Sequence, residues 1–383
     1  NNFLNSFKKS KLIVKLVGLI QKNYFHSGTK ELNMASAERL HWILSVPFGI
    51  IISILGLLGN ALSIIIWKRL VNTKLRNNQS TGIFLIALAV CDSGLLIFFV
   101  LQDSLPALYP SLKEDSYSYA VFFCWIGFPF FFIFLVASIW LVVGVSLNRF
   151  IMITFPMKVK VIYTRKRTYY SILGFFIFSL LSNIPHFFNY KPENTTGGKW
   201  KVGITEYGAS EGSKNYEFWV HCIFIVLAPW ITIAILNSII VYKLYKQSKI
   251  INQKLMESTN CERKSKQENR EHQMTRTLFV VTFAFLILLA WQCIIQCFWM
   301  TGYGKSEQHS YAWVMIDKNF AFAKMGVILN SAANCLLYCF TGSMFKKELI
   351  KIFCNKFNVK QNSSSYEKTS TKSSLLQNET RSL

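Results

Sequence analysis

Charge is what this chain has least of. Only 16% of its 383 residues are Asp, Glu, Lys or Arg, where a soluble domain carries about 25%. Acids are scarcer still, 19 against 42 basic residues, for a net charge of +23. Signatures of chemistry are missing too. There is no glycine-rich phosphate loop, no HExxH and no nucleophile elbow. Nine cysteines are present, but no pair has zinc-site spacing with histidine. Most of them lie in apolar runs, where cysteine behaves as a small hydrophobe. These absences leave no candidate catalytic residue, and the chain is expected not to be an enzyme.

What the chain has is length of hydrophobic run. Hydrophobic residues make up 52% of it, with 33 Phe. A helix needs about 20 apolar residues to span the hydrocarbon core. Seven runs meet that test, at 42–67, 81–102, 116–148, 169–189, 218–242, 277–303 and 319–341. They are continuous rather than alternating, which argues for helices over barrel strands. The expected fold class is an all-α membrane protein, a seven-transmembrane helix bundle over 42–341.

The sign of the loop charge orients the bundle. The loop after run one carries Lys68, Arg69, Lys74 and Arg76; the loop after run three carries Lys158, Lys160, Arg165, Lys166 and Arg167. The loop from Lys243 through Arg276 is the most basic, and Lys346, Lys347, Lys351 and Lys356 follow run seven. Glu114, Asp115, Glu193, Glu206, Glu211 and Glu217 fall in the other loops. Excess Lys and Arg marks the cytoplasmic side, which places the N-terminus outside and suits a multi-pass plasma-membrane protein. The basicity then reads as topology plus contact with anionic membrane lipid, and nucleic acid is discounted as a partner. Residues 1–41 become an extracellular segment, although Lys8, Lys9, Lys11 and Lys15 are unusual there. Met34 is a candidate true start, and residues 11–20 are a weak signal-peptide candidate interrupted by Lys15. The sequon at Asn194 falls on the outer face and is a glycosylation candidate; that at Asn78 is on the inner face.

Asp92 interrupts the second run. A carboxylate at membrane depth costs roughly 2.5–3.5 kcal/mol on insertion scales and usually faces a polar cavity. It is therefore a candidate functional residue, the alternative being a buried acid held by neighbouring hydroxyls and amides for packing alone.

These features in this order resemble the rhodopsin-like (class A) G-protein-coupled receptors, over about residues 42–357. The matching residues are Gly59-Asn60, Leu88-Ala89-Val90-Cys91-Asp92, Asn148-Arg149-Phe150 with Pro156 after it, Pro229, and Asn334-Cys335-Leu336-Leu337-Tyr338. Phe345-Lys346-Lys347-Glu348-Leu349 looks like the start of an amphipathic eighth helix, assigned to 342–357. The resemblance implies an activation switch of Asn148, Arg149, Asn334, Tyr338 and Trp291. It also implies a sodium pocket of Asp92, Ser138, Asn330, Ser331 and Asn334. Allosteric Na+ is the only cofactor-like ion it suggests, and a polar network without an ion is the alternative.

Departures from the pattern carry expectations of their own. Asn148 stands where an acid would pair with Arg149, and an amide binds a guanidinium less strongly. Basal signalling is therefore expected. The sixth run has no proline, so its kink is in doubt. Trp291 or Leu289 falls at its switch position. Cys124 occupies the position of the extracellular disulfide, but 190–217 has no cysteine and Cys222 lies in run five. No such disulfide is expected.

The ligand side is narrowed by the resemblance. Phe131 takes the place of the amine-receptor acid, and Ile328 that of the opsin lysine, which argues against monoamines and retinal. Gln102, Phe131 and Lys324 are the candidate ligand contacts. Lys324 either meets a ligand carbonyl or acid, or snorkels to the outer surface. Gln102, Asp103 and the acids of the second outer loop suit a basic peptide. Residues 183–188 and 330–334 look similar to invertebrate FMRFamide-type neuropeptide receptors. The implied function is a neuropeptide receptor coupled to a heterotrimeric G protein. A chemosensory receptor on the same fold remains the alternative. A transporter would call for repeated broken helices with midplane charges in both halves, a pattern not found. Residues 358–383 are too polar to bury a core and are expected to be disordered and cytoplasmic. Their Ser and Thr clusters suit a receptor kinase and arrestin, the alternative being an inert tail. Cys354 ahead of them is a palmitoylation candidate.

Overall fold

The computed structural model describes residues 38–72, 79–155, 164–195, 198–255, scattered positions between 283 and 295, 311–341 and 344–352. The tail at 358–383, Met34, Cys354 and most of the sixth run lie outside the described residues. Among them, six helices are long and apolar enough to cross a bilayer. These are α1 (Glu38–Asn72), α2 (Gln79–Leu108), α3 (Tyr117–Thr154), α4 (Arg165–Phe188), α5 (Glu211–Lys243) and a last span at Lys318–Phe340. The described positions between 283 and 295 are all helical and are labelled α6. The last span lies within α7 (Tyr311–Thr341), and a helix over 344–352, α8, follows it. Apolar runs of this length become helices because only a helix satisfies every backbone N–H and C=O within one segment.

Prolines shape four of these helices. Proline lacks an N–H and crowds the carbonyl four residues earlier. At each site the helix widens to a π turn: Leu44–Phe48 contains Pro47, Val100–Ser104 precedes Pro106, Phe123–Gly127 precedes Pro129, and Glu217–Leu227 precedes Pro229. In α2 the consequence is visible. Pro106 cannot donate to the Gln102 carbonyl, and the Tyr119 hydroxyl of α3 donates to it instead, at 3.1 Å. Pro185 comparably ends α4 in the 3₁₀ turn Ile184–Phe188.

The bundle is built around α3. In its most apolar stretch 72% of residues are buried, against 17% in α4, which lies at the rim. The core joins Phe84, Leu88 and Leu95 of α2 to Phe131, Leu135 and Leu141 of α3 and Ile328 of α7. Helices α1 and α7 approach through small residues, as membrane helices do. A Cβ on Gly56 would lie 2.7 Å from Ala332 Cβ, and one on Gly59 would lie 3.0 Å from Cys335 Cβ. Next to Gly59, Asn60 donates to the Ser331 carbonyl at 3.2 Å. The Gly59-Asn60 pair is thus the contact by which α1 seats on α7.

One end of the bundle is covered by an antiparallel hairpin, β1 (Tyr190–Asn194) with β2 (Trp200–Ile204), in which Tyr190 faces Ile204 and Asn194 faces Trp200. Its composition, with Pro192 and two glycines at 197–198, marks it from sequence only as a loop between apolar runs. Cys124 and Cys222 are both buried free thiols. The hairpin docks on α3 by rings instead: Trp200 packs edge-on against Tyr117 with centroids 4.7 Å apart, and Tyr190 against Phe128 at 4.9 Å and Phe123 at 5.7 Å. Lys199 pairs with Asp115 at 3.0 Å. Burial and the nearby Glu217 carboxylate push the Tyr190 phenol above its ordinary range, so it serves as a neutral ring. Asn194 is exposed beside the hairpin turn.

Candidate functional site

In the middle of the bundle α2, α3 and α7 each contribute to one polar cluster. Asp92 is fully buried. Ser138 Oγ donates to Asp92 Oδ1 and Asn334 Nδ2 donates to Asp92 Oδ2, both at 2.7 Å, and the Ser331 hydroxyl also bonds the carboxylate. Three of the four proposed companions of Asp92 therefore meet it. Asn330 is buried on the same helix but is not, among the described residues, a partner of Asp92. A carboxylate with two hydroxyl oxygens beside it is a hard-donor set of the kind that accepts a small oxygen-seeking cation, while the Asn334 amide meets it through nitrogen.

At the end away from the hairpin, Arg149 is buried at the base of α3, with Nη1 3.8 Å from Met152 Sδ. Asn148 does not turn towards it. Its amide donates to Thr81 Oγ1 at 2.8 Å and to Ser80 Oγ at 3.4 Å, tying α3 to α2. The expected weak amide–guanidinium bond is thus replaced by an α2–α3 clasp. Tyr338 is fully buried in a ring cluster, 5.7 Å from Trp67 of α1 and 5.5 Å from Phe345 of α8.

Trp291 departs from its expected role as an interior switch. Phe283, Ile287, Trp291 and Ile294 are all about half exposed and recur at helical spacing, while Leu286 and Ile295 are buried. Trp291 therefore lies on the outward stripe of α6. A membrane helix is apolar on both its inner and outer faces, so hydrophobicity in the sequence does not tell one from the other.

At the hairpin end, Lys324 of α7 is held by Asp103 of α2, with Nζ to Oδ1 at 2.7 Å. Ser45 of α1 donates to Asp103 Oδ2 at 2.9 Å, and His41 Nε2 lies 3.6 Å from Oδ1. Lys324 thus neither snorkels freely nor waits unpaired for a ligand: it closes a three-helix junction. Gln102 is half buried, and its Oε1 has no hydrogen-bond partner among the described residues. Phe131 packs into the core against Phe132. Charged hydrogen bonds contribute roughly 1.5–3 kcal/mol, so Asp103→Asn and Lys324→Met should each lower the melting temperature of the purified protein. The double variant should lose less than the sum of the two, and strict additivity would show that the pair contributes nothing.

A second cluster at this end escaped the sequence reading. His186 and His221 are buried with their Nε2 atoms 2.8 Å apart, and Glu217 Oε1 is 3.5 Å from His186 Nδ1. The isolated histidine of run four was the visible signal, but its partner is 35 residues away.

A helical bundle with a buried carboxylate at its centre, a buried arginine at one end and a covering hairpin at the other defines a membrane receptor class. The chain belongs to the rhodopsin-family seven-transmembrane receptors, whose profile matches residues 59–338. The members of that family are receptors and not enzymes. The chain is 26% identical over 321 residues to the FMRFamide receptor of Drosophila melanogaster, covering 82% of this chain and 54% of that protein. It is 23% identical over 316 residues to the FMRFamide peptide receptor frpr-18 of Caenorhabditis elegans, covering 80% and 68% respectively. To galanin receptor 2a of Danio rerio it is 23% identical over 317 residues, covering 82% and 80%. The chain spans about half the length of the fly receptor.

Proposed function

We propose that this chain is a plasma-membrane receptor activated by a neuropeptide and signalling through a heterotrimeric G protein. The observation that carries this reading is its similarity, across most of its length, to peptide receptors of a fly and a nematode that are both named for FMRFamide. The hairpin end is taken as extracellular and the basic end as cytoplasmic, from the placement of Lys and Arg. On that orientation Gln102, with an open acceptor, and the Asp103–Lys324 pair lie where a peptide would enter. Asn194 is the glycan acceptor. The tail recruits receptor kinase and arrestin through phosphates of about −1.5 to −2 charges each, and Cys354 takes a palmitoyl chain. The basic loops meet anionic lipid. The test is a panel of amidated peptides applied to cells expressing the full chain, read by calcium and cAMP. A peptide response that is lost on blocking G proteins is expected. A response confined to small organic molecules would replace this reading with a chemosensory one.

Asn148 carries no charge, so it cannot supply the ionic restraint that an acid at its position would. Neutral hydrogen bonds contribute about 0.5–1.5 kcal/mol and charged ones about 1.5–3, a difference near 1 kcal/mol, or about fivefold in a two-state balance. Basal signalling above that of untransfected cells is therefore expected, and Asn148→Asp should reduce it severalfold. Equal basal signalling in both proteins would count against this role.

A further inference from the structure

We propose that His186, His221 and Glu217 form a binding site for a divalent transition cation, Zn2+ foremost, at the hairpin ends of α4 and α5. Among the described residues this is where metal-binding side chains converge: one donor atom from each of the three lies within 4.8 Å of the other two. The histidines come from different elements, His186 from the 3₁₀ turn that ends α4 and His221 from the wide turn of α5. Glu217 and His221 stand one helical turn apart, but sequence spacing does not bring His186 to them.

The geometry is specific about the metal. At 2.8 Å the two Nε2 atoms cannot both present lone pairs to each other, so one ring must donate its proton to the other. A cation between them takes the place of that proton. The ring proton moves to Nδ1, and each imidazole keeps a single hydrogen. Zn–N bonds of about 2.0–2.1 Å at a tetrahedral angle put two nitrogens about 3.3 Å apart. The rings therefore need to part by about half an ångström. Glu217, 18% exposed at its side chain, is the least buried of the three. It completes a His₂Glu set with water as fourth ligand, the donor types that suit zinc.

The surroundings hold the site in shape. The His186 ring stacks on Phe132 with centroids 4.5 Å apart and planes 14° from parallel, and Phe132 meets the His221 ring edge-on at 5.4 Å. The Asn189 amide lies 3.4 Å from His186 Nδ1 and is held by the Ser213 hydroxyl at 3.2 Å; with metal bound and the ring proton on Nδ1, the amide turns over to present Oδ1 to that proton. Such outer partners fix ring orientation around a metal and typically change affinity 10–100-fold when removed. Among the described residues no Lys or Arg pairs with Glu217. Two neutral imidazoles and one carboxylate leave a negative site that a divalent cation offsets.

The experiment uses the full chain, purified in detergent and stripped with EDTA. Zinc binding is measured by competition with a colorimetric chelator and by the shift in melting temperature with ZnCl2. Cobalt supplies a spectroscopic check through the visible bands of a tetrahedral Co2+ complex. Wild type is expected to take up zinc and to show those bands. His221→Ala and Glu217→Gln should each weaken zinc binding at least tenfold. Glu217→Gln keeps side-chain shape, so it decides the matter if His221→Ala does not fold. Absence of zinc uptake by wild type, or equal uptake by wild type and Glu217→Gln, would overturn the proposal. None of these readouts needs an agonist, so they stand apart from the peptide-receptor reading.

Discussion

Arg149→Ala is expected to abolish agonist-driven signalling while leaving the protein at the cell surface. Arg149 is buried at the base of α3, beside an amide that is committed to Thr81 and Ser80 of α2. A guanidinium is always charged and presents five donors in a rigid fork, which suits it to bind carbonyls and carboxylates. The proposed switch role has that side chain reach a partner or neighbouring helices when the basic end opens. Losing a charged hydrogen bond of roughly 1.5–3 kcal/mol corresponds to about a ten- to hundredfold loss in the active complex, enough to bring the response to background. The Asn148 clasp between α2 and α3 does not depend on Arg149, which is why surface expression should persist. The check is a concentration–response curve alongside surface labelling. An unchanged curve from the alanine variant would remove Arg149 from the switch.

The second large effect belongs to Asp92. Its carboxylate is fully buried, and its partners Ser138, Ser331 and Asn334 are all neutral. A sodium ion at this cluster would offset the cost of holding that charge at membrane depth. The oxygens of the same side chains would ligate it, drawing α2, α3 and α7 together. If agonist favours an arrangement in which these helices part, linkage requires sodium to weaken agonist binding and agonist to weaken sodium binding by the same factor. Couplings of this kind are typically about 1–3 kcal/mol, so agonist affinity should fall about fivefold or more when a large organic cation is exchanged for sodium. Asp92→Asn should abolish the difference and keep the fold, because the amide still bonds Ser138 and Asn334. Equal agonist affinities in both salts for the unaltered protein would leave Asp92 as a structural polar residue.

Much of this was legible before any coordinates. The runs at 42–67, 81–102, 116–148, 169–189, 218–242 and 319–341 each coincide with a helix; α1, α2 and α5 extend past their runs at both ends, α3 past the C-terminal end, and α4 and α7 past the N-terminal end. The overshoot has a physical origin. Charged and polar residues at helix ends sit in the interfacial layer, where they continue the helix without counting towards an apolar run. Asp92 was readable because a carboxylate in an apolar run has few places to go; its companions Ser138 and Asn334 came from the family resemblance. Gln102 and Lys324 stood out as polar residues at the ends of apolar runs and Asn148 as a departure from the family pattern, but the partners of Asn148 and Lys324 were not legible. Asn148 was expected to face Arg149 and faces Thr81; Lys324 was expected to meet ligand or solvent and meets Asp103.

The sequence by itself determined that this chain lies in a membrane, how many times it crosses, and which side chains are too polar to face lipid. Those are one-dimensional properties, set by run length against bilayer thickness and by the cost of a charge in hydrocarbon. Tertiary structure alone decided which polar groups satisfy one another. Asp92 finds Asn334 across 242 positions, Asp103 finds Lys324 across 221, and His186 finds His221 across 35. It also decided that Trp291 faces outward and that Tyr190–Asn194 and Trp200–Ile204 pair as a hairpin held to α3 by rings. The reason is the solvent. In water, a helix writes its inner face into the sequence as an apolar stripe. In lipid, both faces are apolar and the stripe is erased, so only packing of the assembled bundle distinguishes inside from outside and one polar partner from another.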